Sequence, residues 1–165
     1  PKRASPGRLE FGLRFSHLFR TWLSLKRKRR RCLGSKIAHA KGNAVSKKVL
    51  IVEDNELNLK LFTDLLRAHQ FEVEGLRDGR EAFARMRGFA PDLVIMDIQM
   101  PHVSGLDLIE AMQSEADLKP IPVLAVTAYA GKGDEERILG AGARAYLSKP
   151  VGMVQFLGAV KAITG

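Results

Sequence analysis

Three unbroken apolar runs constrain this chain more than any other feature: Val49-Leu50-Ile51-Val52, Leu93-Val94-Ile95-Met96 and Val123-Leu124-Ala125-Val126. Runs of this length, rich in Val and Ile and free of polar alternation, suit strands buried on both faces, as in a parallel sheet covered by helices on either side. Each run is followed at once by a residue with chemical capability: Glu53-Asp54, Asp97 and Thr127. Residues in that position emerge at the carboxyl ends of the strands, which in an open α/β sheet is the edge where ligands bind. Three carboxylates crowded there repel one another unless a cation sits among them, and hard oxygen ligands favour Mg2+. Asp97 thereby becomes a candidate nucleophile for phosphoryl transfer.

From Lys47 onward, strand-like runs alternate with helical patterns. Strands are expected at residues 48–52, 71–75, 92–96, 122–126 and 144–147. The second alternates Glu72 and Glu74 with apolar residues, which suits a sheet edge. Between the strands, Leu57, Leu61, Leu65 and Ala68 mark one helix face at spacings of three and four, and Ala82, Phe83 and Met86 mark a second. Leu106, Ile109 and Met112 mark a third, entered from Ser104 as an N-cap. A short polar helix over 133–141 carries Asp134, Glu135 and Glu136 near its start, where they complement the dipole. Phe156, Leu157, Val160 and Ile163 mark the last. Five β-α units in about 120 residues predict a flavodoxin-like (βα)5 fold, a doubly wound parallel five-stranded sheet.

The residues after the first strand discriminate among ligands for such a sheet. A dinucleotide or P-loop protein places glycines there, so that backbone N–H groups cradle phosphate. This chain places Glu53-Asp54-Asn55, which would repel a phosphate without an intervening metal. The pairs in Gly131-Lys132-Gly133 and Gly140-Ala141-Gly142 are too short for a nucleotide fingerprint and are expected to serve loops and helix ends.

Two further residues fall at the same edge. Thr127 follows the fourth strand, and Lys149 follows Ala145-Tyr146-Leu147 and precedes Pro150. A lysine there can pair with Asp97 and later with a phosphoryl oxygen, while a threonine hydroxyl can donate to another. The Lys149-Pro150 bond is a candidate cis peptide that would aim the lysine inward. Taken singly, each is commonplace: an aspartate after a strand is usually a turn or N-cap residue, and a Lys-Pro pair is usually loop. Their complementary roles at the ends of four strands carry the inference.

These motifs resemble the receiver domains of two-component response regulators over about residues 47–165. The matching positions are Glu53-Asp54, Asp97 within Met96-Asp97-Ile98-Gln99-Met100-Pro101, Gly105, Thr127-Ala128 and Lys149-Pro150. Within the family, Val52-Glu53-Asp54-Asn55-Glu56-Leu57-Asn58 and Lys132-Gly133-Asp134-Glu135-Glu136-Arg137-Ile138 are most similar to single-domain members of cell-division control. The resemblance implies Mg2+ held by Asp54, Asp97 and the backbone carbonyl of Gln99, with Glu53 acting through water, and it implies Tyr129 as the aromatic switch. It further implies a phosphoacceptor with only slow self-dephosphorylation rather than a turnover enzyme. The expected input is a histidine kinase or histidine phosphotransfer protein. The expected output is phosphorylation-dependent binding of a protein target through the fourth helix, fifth strand and fifth helix. Ending at Gly165, the chain is expected to lack a downstream DNA-binding domain. The competing expectation is a constitutive module that binds kinases without phosphate; intact Asp97, Thr127 and Lys149 favour the switch.

The formal charge of +9 and the pI near 10.0 belong to the leader. Residues 1–46 hold 13 Lys and Arg against Glu10 alone, a net +12, whereas residues 47–165 hold 14 against 17 acids, a net −3. The basic balance therefore gives no ground for nucleic-acid binding by the receiver. In the leader, Phe11, Phe15, Leu18, Phe19, Trp22 and Leu25 share one helical face, interrupted by Leu13, ahead of Lys26-Arg27-Lys28-Arg29-Arg30-Arg31. An interfacial helix on anionic lipid, a basic arm for nucleic acid and a flexible or partly helical solvated extension all fit. So does upstream sequence foreign to the native protein, since Val45 could be encoded by a GTG start codon and residue 1 is not Met. The single cysteine, Cys32, excludes an intrachain disulfide and suits a reducing cytoplasm. No apolar stretch reaches the roughly 18 residues that span a bilayer. The receiver is expected to be soluble and cytoplasmic, with recruitment to membrane-bound kinases left open.

Overall fold

A computed structural model of the chain describes residues 46–128, 131 and 133–165. The expectations for residues 1–45 and for Tyr129 and Lys132 lie outside the described residues. Five strands, β1 (Lys48–Val52), β2 (Glu72–Leu76), β3 (Leu93–Asp97), β4 (Val123–Thr127) and β5 (Ala145–Ser148), form one sheet in the order β2-β1-β3-β4-β5, every neighbouring pair parallel. The helices are α1 (Glu56–Ala68), α2 (Ala82–Phe89), α3 (Gly105–Met112), α4 (Asp134–Gly140) and α5 (Met153–Thr164), with a 3-10 turn at Gly79–Glu81 that the sequence pattern did not signal. This is the expected flavodoxin-like (βα)5 sheet, with β2 at an edge.

The central strands feed two cores, one on each face of the sheet. Val49, Ile51 and Ile95 pack with Phe62 and Leu66 of α1 and with Phe156 and Val160 of α5. Leu50, Val52, Val94 and Met96 pack on the other face with Met86 of α2, with Ile109 and Met112 of α3 and with Ile138 of α4. Alternate side chains of a strand point to opposite faces, so an unbroken apolar run supplies both layers at once.

Two expectations need correction. The buried stripe of α1 is Phe62 and Leu66, with Leu59 and Leu65 partly buried beside them; Leu57 is 78% exposed and Leu61 47%. The ring of Phe62 stacks on Phe156 with centroids 4.5 Å apart, and this contact with α5 selects the face. The second correction is a shift: β2, β3, β4 and β5 each begin and end one residue later than hydropathy indicates. Asp97 and Thr127 are thus the last residues of their strands, paired with Val126 and Ser148, because backbone hydrogen bonding continues past the point where apolar character stops.

Local signals set the helix starts, Ser104 among them as expected. Ser104 Oγ accepts from Leu106 N at 3.2 Å, capping α3. Asn55 Oδ1 accepts from Leu57 N at 3.0 Å and from Asn58 N at 3.1 Å, starting α1 directly after the acidic pair. Gly133, with φ +101°, occupies the left-handed region ahead of α4, where a side chain would be strained. The Lys149-Pro150 peptide is cis. No helix among the described residues is long and apolar enough to cross a membrane.

Candidate functional site

The parallel sheet brings Glu53, Asp54, Asp97, Thr127 and Lys149 to one edge. Glu53 follows β1, and its N–H donates to Leu76 O of β2 at 3.0 Å, so backbone pairing fixes where its side chain enters the site. Asp97 ends β3, and the next residue is tied to β4 by the bond from Ile98 N to Val126 O at 2.9 Å. Lys149 N donates to Thr127 O at 2.7 Å, coupling the ends of β4 and β5. Glu53, Asp97 and Thr127 are all buried, at 2%, 3% and 1% exposure.

Carboxylate oxygens of Glu53, Asp54 and Asp97 lie within 4.8 Å of one another. Lys149 reaches into this cluster from β5. Its Nζ donates to Asp97 Oδ2 at 2.6 Å and to Glu53 Oε1 at 3.0 Å, and it is also 3.0 Å from Glu53 Oε2. Asp97 Oδ1 accepts from the backbone N–H of Gln99 at 3.0 Å. Among the described residues, no buried side-chain nitrogen or oxygen is left without a partner.

The electrostatics follow from burial and pairing. Burial pushes the Glu53 carboxyl up from its ordinary value, against the hydrogen bonds from Asn58 and Lys149 that favour its charged form; the neighbouring Asp97 charge adds to the upward push. Burial alone would lower Lys149, but its bonds to Asp97 and Glu53 outweigh that effect and hold the ammonium above its usual range. The three carboxylates and one ammonium together carry a formal charge of −2. One divalent cation balances that, and an all-oxygen donor set suits a hard ion such as Mg2+. The residues present therefore fit a metal of that class.

The main chain is also shaped around Asp97. A Cβ built on Gly105 would lie 1.9 Å from Asp97 O, and Gly105 N donates to Ile98 O at 3.0 Å. Only glycine permits the start of α3 to press this closely on the strand end. Of the remaining expected residues, Gln99 is present with an exposed side chain, and Tyr129 lies outside the described residues.

Two side chains escaped the sequence reading. Asn58 donates Nδ2–H to Glu53 Oε1 at 2.9 Å. Its signal was its place on the first turn of α1, within reach of the preceding acids. In the sequence, Tyr146 carries no signal beyond its place in a strand. Its hydroxyl donates to Glu135 on α4 at 3.1 Å, and the bond and burial raise its pKa.

Comparisons with known proteins identify the family. The response regulator receiver domain matches residues 49–161. The polar-differentiation response regulator DivK of Brucella ovis is 49% identical over 121 residues, covering 73% of this chain and 98% of its own length. DivK of Brucella anthropi is 50% identical over 119 residues, 72% of this chain and 97% of its own. Among solved structures, the chemotaxis protein CheY4 of Vibrio cholerae is 27% identical with a TM-score of 0.67, over 72% of this chain and 98% of that one. The receiver domain of a Pseudomonas aeruginosa sensor histidine kinase, solved with a magnesium ion coordinated in its active-site cleft, is 28% identical with a TM-score of 0.67, over 73% and 98%. With a family match over residues 49–161 and DivK proteins at about half identity, the chain belongs to the response regulator receiver family of two-component signalling.

Proposed function

We propose that this protein is a phosphorylation switch in which Asp97 accepts a phosphoryl group from a phosphohistidine and the phosphorylated form binds a protein target, in cell-cycle or cell-division control; its DivK relatives are polar-differentiation response regulators. The observation that carries the proposal is the 2.6 Å contact between Lys149 Nζ and Asp97 Oδ2 at the ligand edge of the sheet, inside a cluster of three carboxylates. A buried aspartate with a charged lysine against it is poised as an acceptor rather than as a structural turn residue.

In the transfer, an Asp97 carboxylate oxygen attacks phosphorus, the P–N bond to the partner's histidine breaks, and the imidazole leaves with the electron pair. Lys149 passes from the carboxylate to a phosphoryl oxygen and offsets its charge. Asp54 and Asp97, with the Gln99 carbonyl, would hold Mg2+, and Glu53 would act through water. When bound, the ion supplies the positive charge that lets an anionic phosphoryl group enter an acidic site. Thr127, at the end of β4, would donate its hydroxyl to the new phosphoryl group. The resemblance assigns the following switch to Tyr129. Tyr146 is a second candidate, favoured by its bond to Glu135, which ties β5 to α4 on the face of α4, β5 and α5 expected to meet the target. Leu57 at the start of α1 and Val154 at the start of α5, 78% and 88% exposed, offer apolar side chains to a protein phosphodonor. The setting is cytoplasmic, alongside the kinase.

Incubation with acetyl phosphate and Mg2+, read by intact mass, tests the assignment. One phosphoryl group should add to the parent and none to Asp97→Asn; equal labelling of both would overturn it. A target that binds parent and Asp97→Asn equally under phosphorylating conditions would instead establish the constitutive kinase-binding module.

A further inference from the structure

Glu53 shares its cation. Lys149 Nζ lies 2.6 Å from Asp97 Oδ2 and 3.0 Å from each Glu53 oxygen, so one ammonium serves two buried carboxylates. If that ammonium turns to a phosphoryl oxygen on Asp97, Glu53 keeps its burial and loses its charged partner. Asn58 is the other donor: its Nδ2–H reaches Glu53 Oε1 at 2.9 Å. The amide is fixed from behind, because Asn58 N donates to Asn55 Oδ1 at 3.1 Å as part of the cap of α1. Its backbone N–H thus anchors the helix start while its side chain holds the acid.

We propose that Asn58 is a positioning residue that holds the Glu53 carboxylate in the acidic cluster independently of Lys149, keeping it available to a divalent cation whether or not the ammonium is engaged there. The proposal rests on the Mg2+ assignment made above. Without the amide, Oε1 retains only Lys149, and the carboxylate turns onto the ammonium. That tightens an internal ion pair in the place where cation charge must enter.

The test uses the full chain and Mg2+ alone, followed by calorimetry with acetyl phosphate absent. Asn58→Leu keeps the approximate side-chain size and removes the donor; Asn58→Ala is the second variant, needed if the larger apolar group perturbs α1. Either should weaken Mg2+ binding about tenfold. In a Glu53→Ala background the same substitutions should cost nothing further, because the group they position is gone. The melting temperature of the metal-free protein should change little. If Glu53→Ala weakens Mg2+ binding and both Asn58 variants leave it unchanged, the positioning role is overturned and the metal assignment stands. If the Asn58 loss persists in full in the Glu53→Ala background, Asn58 acts through packing of α1 and the inference is likewise overturned. Unchanged affinity in Glu53→Ala itself overturns the part of the metal assignment on which the proposal rests.

Discussion

The same chemical change, glycine to alanine, should have opposite effects at Gly105 and Gly158. At Gly105 the added Cβ would lie 1.9 Å from Asp97 O, 2.8 Å from Asp97 C and 2.9 Å from Ile98 Cα, all backbone atoms that no rotamer change can clear. Either the strand end carrying the phosphoacceptor or the start of α3 must move by about 1.5 Å to restore ordinary contact. Overpacking of this kind costs about 1–3 kcal/mol and sometimes more. Separating the two segments also weakens the Gly105 N to Ile98 O hydrogen bond, which contributes about 1 kcal/mol. The reduced entropy of the unfolded chain returns about 0.4–1 kcal/mol. The net expectation for Gly105→Ala is a loss of about 1–3.5 kcal/mol together with slower labelling by acetyl phosphate, since Asp97 moves with its carbonyl. Gly158 lies within α5, and a Cβ there would meet nothing within 4 Å. Gly158→Ala should therefore gain about 0.5–1 kcal/mol from helix propensity. Urea denaturation of the two variants measures both values. A Gly105→Ala protein within about 0.5 kcal/mol of the parent, the range of an unremarkable surface change, would refute the steric argument.

Asp54→Ala should weaken Mg2+ binding at least about tenfold, or roughly 1.4 kcal/mol, by calorimetry; unchanged affinity would contradict the metal site. Phosphorylation or a beryllofluoride mimic should tighten target binding by about 1–3 kcal/mol, and Thr127→Ala should reduce that coupling while leaving Asp97 able to be labelled. Lys149 gives an alkaline signature. Its pKa is raised on folding from 10.5, so the stability it contributes is present in full below that value and is lost as pH rises through the higher folded value. As pH rises above about 10.5, metal-free parent should lose more stability than Lys149→Met, and parallel losses would remove the lysine as the cause.

Much of the site was legible because its residues are punctuated by hydropathy. Glu53, Asp97 and Thr127 stand out at the ends of apolar runs, and parallel pairing alone then places them on one edge. The face of α1 was not legible. Between Leu57 and Leu66 this helix carries Leu57, Leu59, Leu61, Phe62, Leu65 and Leu66, enough apolar side chains to draw two stripes. The choice between them depends on the stacking of Phe62 against Phe156, a contact 94 residues away in sequence that periodicity cannot register. The one-residue shift of β3 and β4 has a similar origin. Ladder hydrogen bonds admit Asp97 and Thr127 as strand residues regardless of side-chain polarity. Asn58 was hidden for a third reason: a half-buried amide on a helix gives no periodic signal, and its role exists only through the oxygen it meets.

The burial of β1, β3 and β4 on both faces also bears on alignment. In a strand with one wet face, sliding by a single position exposes its apolar side chains, and that penalty fixes the pairing. Here a slide exchanges one core for the other: Leu50 would take a place suited to Ile51, and Ile95 one suited to Met96, at modest cost. The severe penalty falls at the ends. Moving β3 one place back along β1 and β4 would draw the Asp97 charge down beside apolar neighbours and away from the ammonium of Lys149, while moving β1 likewise would draw in Glu53. The acids that make the switch therefore also serve as end stops for the sheet, and a chain stripped of them would lose both its chemistry and the marks by which its strands find their places.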